Sequence, residues 1–417
     1  MTVAASRRPS EFTTAALSIL VGASVMLSLS MGMRQSLGLF MGQITRDVGI
    51  TVAEFTFAIA VQNILWGVTQ PMVGAIVDRF GCKPVTIAGT LLYAAGLGLP
   101  IVLPGNLGVM LGLGVLLGVA LSCTAAAVAM SASARAVSPA RRSLVFGIIS
   151  GAGSVGAFVA APLAQNVLSS DGWQLALLAF IGLAAAMLPA AFFAGNADRL
   201  PHPTAATGAE ASNLSAAVGE AFGHGGYVTM ALAFFVCGLQ LVFITTHMPT
   251  YLADCGFDPM LSAKMLAVVG FFNILGSFAF GWLGGRYPKQ ILLGVAYLLR
   301  SAFIAAYFML PVSEVSTLLF AAAMGLTWLG VIPLVNGLVA DIFGVRFMAT
   351  LTGIAFFFHQ VGSFIGAWGG GLIYQSLGSY DLAWKGAVAI GLTAGVCQML
   401  MSVRPTARVA AAAAAAA

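Results

Sequence analysis

The chain has 417 residues, of which 60% are hydrophobic and only 7% are charged, with a formal net charge of +5 at pH 7. A soluble domain carries roughly 25% charged residues, so this composition excludes a soluble globular protein. The sequence also contains no nucleophile motif, metal-ligand cluster or phosphate-binding loop. We therefore expect neither an enzyme nor an ATP-driven pump, and no metal or cofactor.

Apolar runs long enough to cross a hydrocarbon core, roughly 20 residues each, follow one another from the N-terminus. The first six are predicted at 14–42, 52–77, 84–103, 107–132, 143–168 and 173–194. The second six are predicted at 226–252, 261–284, 290–311, 315–340, 347–376 and 384–402. The pattern predicts an all-α membrane protein with twelve transmembrane helices, here called spans and numbered in chain order.

The spans fall into two similar halves, 14–194 and 226–402, separated by a polar stretch at 195–225 that we predict to be a cytoplasmic linker. The segment from Gly74 to Lys83 after the second span corresponds to the segment from Gly281 to Lys289 after the eighth. We therefore predict two pseudo-symmetric six-helix bundles. Paired repeats of this kind place a substrate site between the halves, near the middle of the membrane.

The basic residues predict the orientation, because lysine and arginine favour the cytoplasmic side. Outside the spans, all of them except Arg46, Lys264 and Lys385 fall on the side of the two termini. We predict that the segments 1–13 and 403–417 are cytoplasmic and that the protein is a monomer in the plasma (inner) membrane. This distribution explains the net charge by contact with the lipid bilayer, without nucleic acid.

A motif after the second span combines an acid–arginine pair with two glycines and a lysine. Its residues are Gly74, Asp78, Arg79, Gly81 and Lys83. The motif resembles the loop signature of the major facilitator superfamily, and the resemblance implies that family's fold. The second copy has Gly285 in place of the acid and Pro288 in place of the glycine.

The same resemblance implies a conformational gate. Its residues would be Asp78, Arg79 and Arg286, held unequally by the two halves. A purely topological role of Arg79 and Lys83 remains the alternative.

The start of the fifth span resembles the monocarboxylate transporter and oxalate:formate antiporter families, which open this helix with a basic pair followed by leucine and glycines. The matching residues are Arg141, Arg142, Leu144, Gly147, Gly151 and Gly156. Val145 departs from the pattern, and Ser277 stands where those families carry an arginine in the eighth helix. The resemblance implies a secondary active transporter of small organic anions, monocarboxylates first, that works by proton-coupled alternating access.

Two arginines, Arg34 and Arg300, fall inside predicted spans, where a charged side chain is costly and therefore suggests function. Every Asp and Glu falls in a loop or at a span end, so neither arginine has an obvious acidic partner. Because a guanidinium binds a carboxylate through two parallel hydrogen bonds, we predict both as substrate-binding residues. Snorkelling of Arg34 to the membrane surface and bonding of Arg300 to backbone carbonyls or Asn273 remain alternatives.

The eleventh span carries the pair His359 and Gln360 near its middle. Histidine titrates near neutral pH, so we predict His359 as a substrate-binding and proton-coupling residue and Gln360 as its neighbour in the site. A neutral, purely structural histidine is the alternative. Four further polar residues in spans are predicted to bind substrate or to join helices: Asn63, Gln240, Asn273 and Asn336.

Two other functions remain open. Anion exchange, such as dicarboxylate/monocarboxylate antiport, is the first alternative to proton symport, because no carboxylate inside a span is available to carry a proton. Export of drugs or metabolites is less favoured, because binding a cationic drug normally needs a buried acid. The expected partners are a small organic anion and protons.

Overall fold

The computed structural model describes residues 13–137, 142–200, 214–343 and 348–407. Within these ranges, eleven helices are long and apolar enough to cross a membrane. One of them, Arg142–Ala194, covers two predicted spans. Gly172 divides it with a φ of 84° and a ψ of 175°. Only glycine adopts this conformation without strain, so Gly172 forms the turn between the fifth and sixth spans. The predicted all-α fold is confirmed.

The first half begins with the helix Thr14–Gln35, followed by the 3-10 turn Leu37–Phe40 and the helix Met41–Val48. The second and third spans are Val52–Phe80 and Cys82–Val102. The fourth consists of Asn106–Val109, a π-helical segment Met110–Leu116, Leu117–Thr124 and Ala126–Ala136. The fifth and sixth lie within Arg142–Ala194. The 3-10 turn Gly195–Arg199 follows.

The second half begins after the short helix Leu214–Gly223, which lies in the predicted linker. The seventh, eighth and ninth spans are Gly225–Asp254, Pro259–Gly284 and Lys289–Met309. The tenth is divided into Glu314–Thr327 and Val331–Phe343. The eleventh and twelfth are Met348–Leu377 and Asp381–Leu400. Residues 201–213 of the predicted linker and most of both predicted tails lie outside the described residues.

Local hydrogen bonds explain where several spans begin or bend. The second span starts with a capping box, in which the Thr51 hydroxyl accepts from the Glu54 amide and the Glu54 carboxylate accepts from the Thr51 amide. The first span, predicted as one helix over 14–42, changes to 3-10 geometry after Ser36. There the Ser36 hydroxyl donates to the carbonyl of Gly32, and the Ser36 amide also donates to the carbonyl of Met33, which tightens the last turn.

Candidate functional site

Three pairs of spans join the two halves. The second and eleventh spans meet at Phe57 and Trp368, whose ring centroids are 5.1 Å apart. The fifth and eighth spans meet where the side-chain amide of Asn273 donates to the Ser154 hydroxyl over 2.7 Å. In the first and seventh spans the backbones touch, since a Cβ on Gly38 would clash with the carbonyl oxygen of Thr245. The first and third contacts lie in the half of the membrane opposite the termini and the second lies near the middle, and together they form a closed seam.

On the side of the termini, these helices of the two halves no longer contact each other within the described residues. Gly74 lies two turns beyond Gly67 on the second span, and Gly353 lies two turns before Gln360 on the eleventh. A Cβ on Gly67 would lie 2.9 Å from the Cβ of Gln360, whereas no described atom lies within 4 Å of one on Gly74 or Gly353. Two glycines of the fifth and eighth spans are equally open on this side, Gly151 and Gly281. On this side the helix faces of the two halves are therefore not packed against each other among the described residues, and we call the space between them the cleft.

Arg34 lies near the closed end of this cleft. Helical side chains lean towards the N-terminus of their helix, so Arg34 reaches back from the end of Thr14–Gln35 towards the middle of the membrane. Its Nη2 donates to Oδ1 of Asn63, and its guanidinium carbon lies 5.0 Å from the ring centroid of Trp66. Nε is buried without a hydrogen-bond partner among the described residues. Arg34 is half-buried and forms no ion pair with any acidic residue that the structure describes.

Gln360 connects Arg34 to His359. Its Nε2 donates to the backbone carbonyl of Asn63 over 3.0 Å, and its Oε1 lies 3.0 Å from Nδ1 of His359. The His359 ring lies between Phe234 and Phe356, with centroid distances of 4.8 and 5.7 Å. Arg34, Asn63, Gln360 and His359 thus form one group, here called the central cluster, in which both halves take part.

A small cavity lies next to the central cluster, lined by Arg34, Gln62 and Thr245 among others. Its volume is ≈ 10 Å³, which corresponds to about one water molecule. An organic anion does not fit there.

Arg300 has a different environment and is 0% exposed. Its Nη2 donates to the backbone carbonyls of Thr327 and Trp328, where the tenth span is interrupted, and its Nη1 contacts Sγ of Cys237 over 3.2 Å. The carbonyls at the end of a helix lack partners and carry partial negative charge. Arg300 therefore neutralises the helix end at Thr327, and its contacts correspond to the backbone-bonding alternative considered from the sequence.

The other polar residues predicted for the site do not join the central cluster. Asn273 bridges the halves, because its Oδ1 accepts from the amide of Leu329 while its Nδ2 binds Ser154. Gln240 is fully buried and donates to the carbonyl of Ala387, and Asn336 donates to Ile332 of its own helix. Asn273 and Gln240 thus join helices, whereas Asn336 bonds within its own helix.

The structure describes the side chains of two of the three residues predicted as a gate. The side chain of Asp78 lies outside the described residues. Arg79 and Arg286 are exposed and lie over their neighbouring rings, Phe80 and Trp282. A stronger contact at this loop comes from Asp198, whose carboxylate accepts from the amides of Cys82 and Lys83 over 2.7 and 2.8 Å.

Sequence reasoning missed Asp198, Trp66 and Ser154. An aspartate after the sixth span gives no sign that it binds the loop after the second. Helical spacing could have identified Trp66, because it lies one turn beyond Asn63 and therefore on the same face of the second span.

Comparison with known proteins agrees with this architecture. Residues 21–367 match the Major Facilitator Superfamily. A crystal structure of a D-xylose-proton symporter has the same fold, with a TM-score of 0.72 and 15% sequence identity, and the match covers 92% of this chain and 97% of the symporter chain. The chain belongs to the Major Facilitator Superfamily and is a multi-pass membrane transporter, not an enzyme.

The relatives include transporters with a stated substrate class. Monocarboxylate transporter 13 of Rattus norvegicus is 25% identical over 374 residues, which cover 88% of this chain and 84% of the relative. Monocarboxylate transporter 3 of the same organism is 27% identical over 392 residues, covering 89% and 76%. An uncharacterized MFS-type transporter of Bacillus subtilis (strain 168), YcxA, is 25% identical over 345 residues, covering 78% and 80%. The predicted family resemblance is confirmed.

Proposed function

We propose that this transporter carries small organic anions, monocarboxylates first, and that a proton moves with each anion. The observation that carries the proposal is the state of Arg34. Its guanidinium group lies at the closed end of the cleft, bonded to the neutral amide of Asn63 and to no acid among the described residues. A carboxylate arriving through the cleft would gain charge-assisted hydrogen bonds, each about 1.5–3 kcal/mol.

His359 supplies the coupling in this proposal. Gln360 links it to Asn63, the residue that binds Arg34, and no described residue makes a hydrogen bond to its Nε2. A protonated His359 adds a second positive group for the anion, and loss of the proton on the other side of the membrane favours release. The names of the monocarboxylate transporters among the relatives support this substrate class.

Anion exchange is the second candidate function. Each aspartate and glutamate that the structure describes lies in a turn or near a helix end, so none of them can carry a proton through the middle of the membrane. If His359 does not carry the proton either, transport of one anion must be balanced by return of another.

Uptake into proteoliposomes tests the proposal and separates these two functions. We expect radiolabelled pyruvate to accumulate when the outside is at about pH 5.5 and the inside at about pH 7.5, and a protonophore to abolish the accumulation. Arg34→Gln should slow uptake at least about tenfold, whereas Arg46→Gln, an exposed arginine paired with Asp47, should not. Accumulation that needs unlabelled pyruvate inside, regardless of pH, indicates exchange. Uptake that neither the pH gradient nor Arg34→Gln changes would refute the proposal.

A further inference from the structure

A second cavity lies on the side of the membrane opposite the termini. It has a volume of ≈ 400 Å³, within the usual range of small-molecule sites. Its walls come from both halves of the protein. Glu54 and Phe57 begin the second span, Asn106 begins the fourth, and Trp368 and Gln375 lie near the end of the eleventh. We call this cavity the seam groove.

The seam groove contains one carboxylate, that of Glu54, which has no ion-pair partner among the described residues. Glu54 Oε2 accepts from the amide and hydroxyl of Thr51, and Oε1 accepts from Nδ2 of Asn106 over 3.0 Å. All of these donors are neutral. No lysine or arginine in the described ranges forms an ion pair with Glu54, although Lys264 and Glu314 pair on the same side of the membrane. A cation entering the groove would meet a carboxylate that is already held in place.

Aromatic rings also line the groove, with Phe57 one turn beyond Glu54 on the second span and Trp368 on the eleventh. Phe57 and Trp368 are half-buried, with ring centroids 5.1 Å apart and planes inclined by 54°. The faces of such rings attract organic cations, tryptophan most strongly. A carboxylate combined with tryptophan and phenylalanine rings is suited to an ammonium group that carries an apolar substituent. This chemistry is opposite in charge to that of the central cluster.

We infer that the seam groove binds an organic ammonium ion, with its charge against Glu54 and its apolar part against the rings of Phe57 and Trp368. The groove includes residues of both halves and exists in this form only while the seam is closed. A ligand that binds one conformation shifts the population towards it. The cation therefore holds the cleft open towards the termini and slows transport. This inference does not depend on the identity of the transported solute.

Thermal unfolding of the purified protein tests the site directly. Benzyltrimethylammonium should raise the melting temperature in a saturable way, whereas the neutral isostere neopentylbenzene should not. Glu54→Gln should weaken the apparent affinity at least about tenfold, and Glu314→Gln should not change it. Glutamine keeps the capping box at Thr51, so Glu54→Gln should fold. Equal shifts with the cation and its isostere, or an unchanged affinity in Glu54→Gln, would overturn the inference.

Two further measurements identify the occupant and its effect. A lipid ammonium headgroup would compete with benzyltrimethylammonium, so the Glu54-dependent affinity should be lower in phosphatidylcholine vesicles than in phosphatidylglycerol vesicles. Equal affinity in both indicates a soluble amine, and either result supports an ammonium site. With Cys255 and Cys397 replaced by serine, the bound cation should speed maleimide labelling of Gly353→Cys in the cleft. Binding without faster labelling would overturn the conformational effect.

Discussion

Gln360 donates a hydrogen bond from its side-chain amide to the backbone carbonyl of Asn63, and the two residues belong to opposite halves of the protein. The side chain of Asn63 accepts from Arg34, and the side-chain oxygen of Gln360 faces His359. Any movement that opens the seam at this depth breaks the Gln360–Asn63 bond. The geometry around Arg34 is therefore linked to the conformation of the transporter.

Gly38→Val should prevent the seam from closing. A Cβ at this position clashes with the backbone oxygen of Thr245, so the first and seventh spans must move apart. We expect the cleft to be less accessible from the side of the termini, with maleimide labelling of Gly353→Cys slowed at least about fivefold. Gly42→Val is the control, because no atom of the described residues lies within 4 Å of its Cβ position. Equal labelling rates in the two variants would contradict the closed seam.

Asn63→Asp should block anion binding without unfolding the protein. The new carboxylate would pair with Arg34 in place of the substrate. We expect the affinity for pyruvate, measured by calorimetry, to fall at least about tenfold. Asn63→Leu is the companion variant, because it leaves the guanidinium charge unpaired, and its affinity should stay within about threefold of the wild type. An aspartate variant that binds pyruvate normally would show that the anion does not use Arg34.

His359→Gln should remove the dependence of transport on an external acid pH. Glutamine keeps a hydrogen-bonding side chain but cannot carry a proton. We expect uptake by the wild type to rise several-fold between about pH 7.5 and about pH 5.5 outside, and uptake by the variant to stay constant. His224→Gln, in the turn before the seventh span, should behave as the wild type does. Acid stimulation retained in His359→Gln would mean that the proton follows another path.

Arg300→Met should destabilise the protein while sparing the anion site. Two carbonyls at the interrupted tenth span would lose their buried donor, at a cost of about 2–4 kcal/mol in the free energy of unfolding. Thermal unfolding should show the loss, and Arg286→Met at the exposed gate position should change stability by less than about 0.5 kcal/mol. If Arg300→Met unfolds normally but no longer binds pyruvate, Arg300 contacts the substrate.

The sequence was sufficient to predict the spans, because apolar runs and the charges between them follow directly from the physics of the bilayer. It also identified Arg34, Asn63, His359 and Gln360 as candidates, because polar residues are rare inside transmembrane spans. It left open whether Arg300 binds the substrate or backbone carbonyls, because the sequence shows no acidic partner for it. The contacts of Arg300 arise from the break in the tenth span, where backbone carbonyls become its partners.

The sequence also gave no means of predicting contacts between remote segments. Asp198 binds the amides after Gly81, and Asn273 binds both Ser154 and the backbone of Leu329. Each of these contacts depends on the register between packed helices, which composition does not determine. The conformation, with a closed seam and an open cleft, is a property of the relative positions of the halves and not of any single span.

The central claim is that an anion is held by the guanidinium group of Arg34, and equilibrium binding of pyruvate to purified protein tests it most directly. We predict that Arg34→Gln lowers the affinity about 100-fold or more, and that Arg34→Lys gives an intermediate value because lysine keeps the charge but not the paired donors. Arg46→Gln should bind as tightly as the wild type. An Arg34→Gln variant that is folded and binds pyruvate within about threefold of the wild type would contradict the claim.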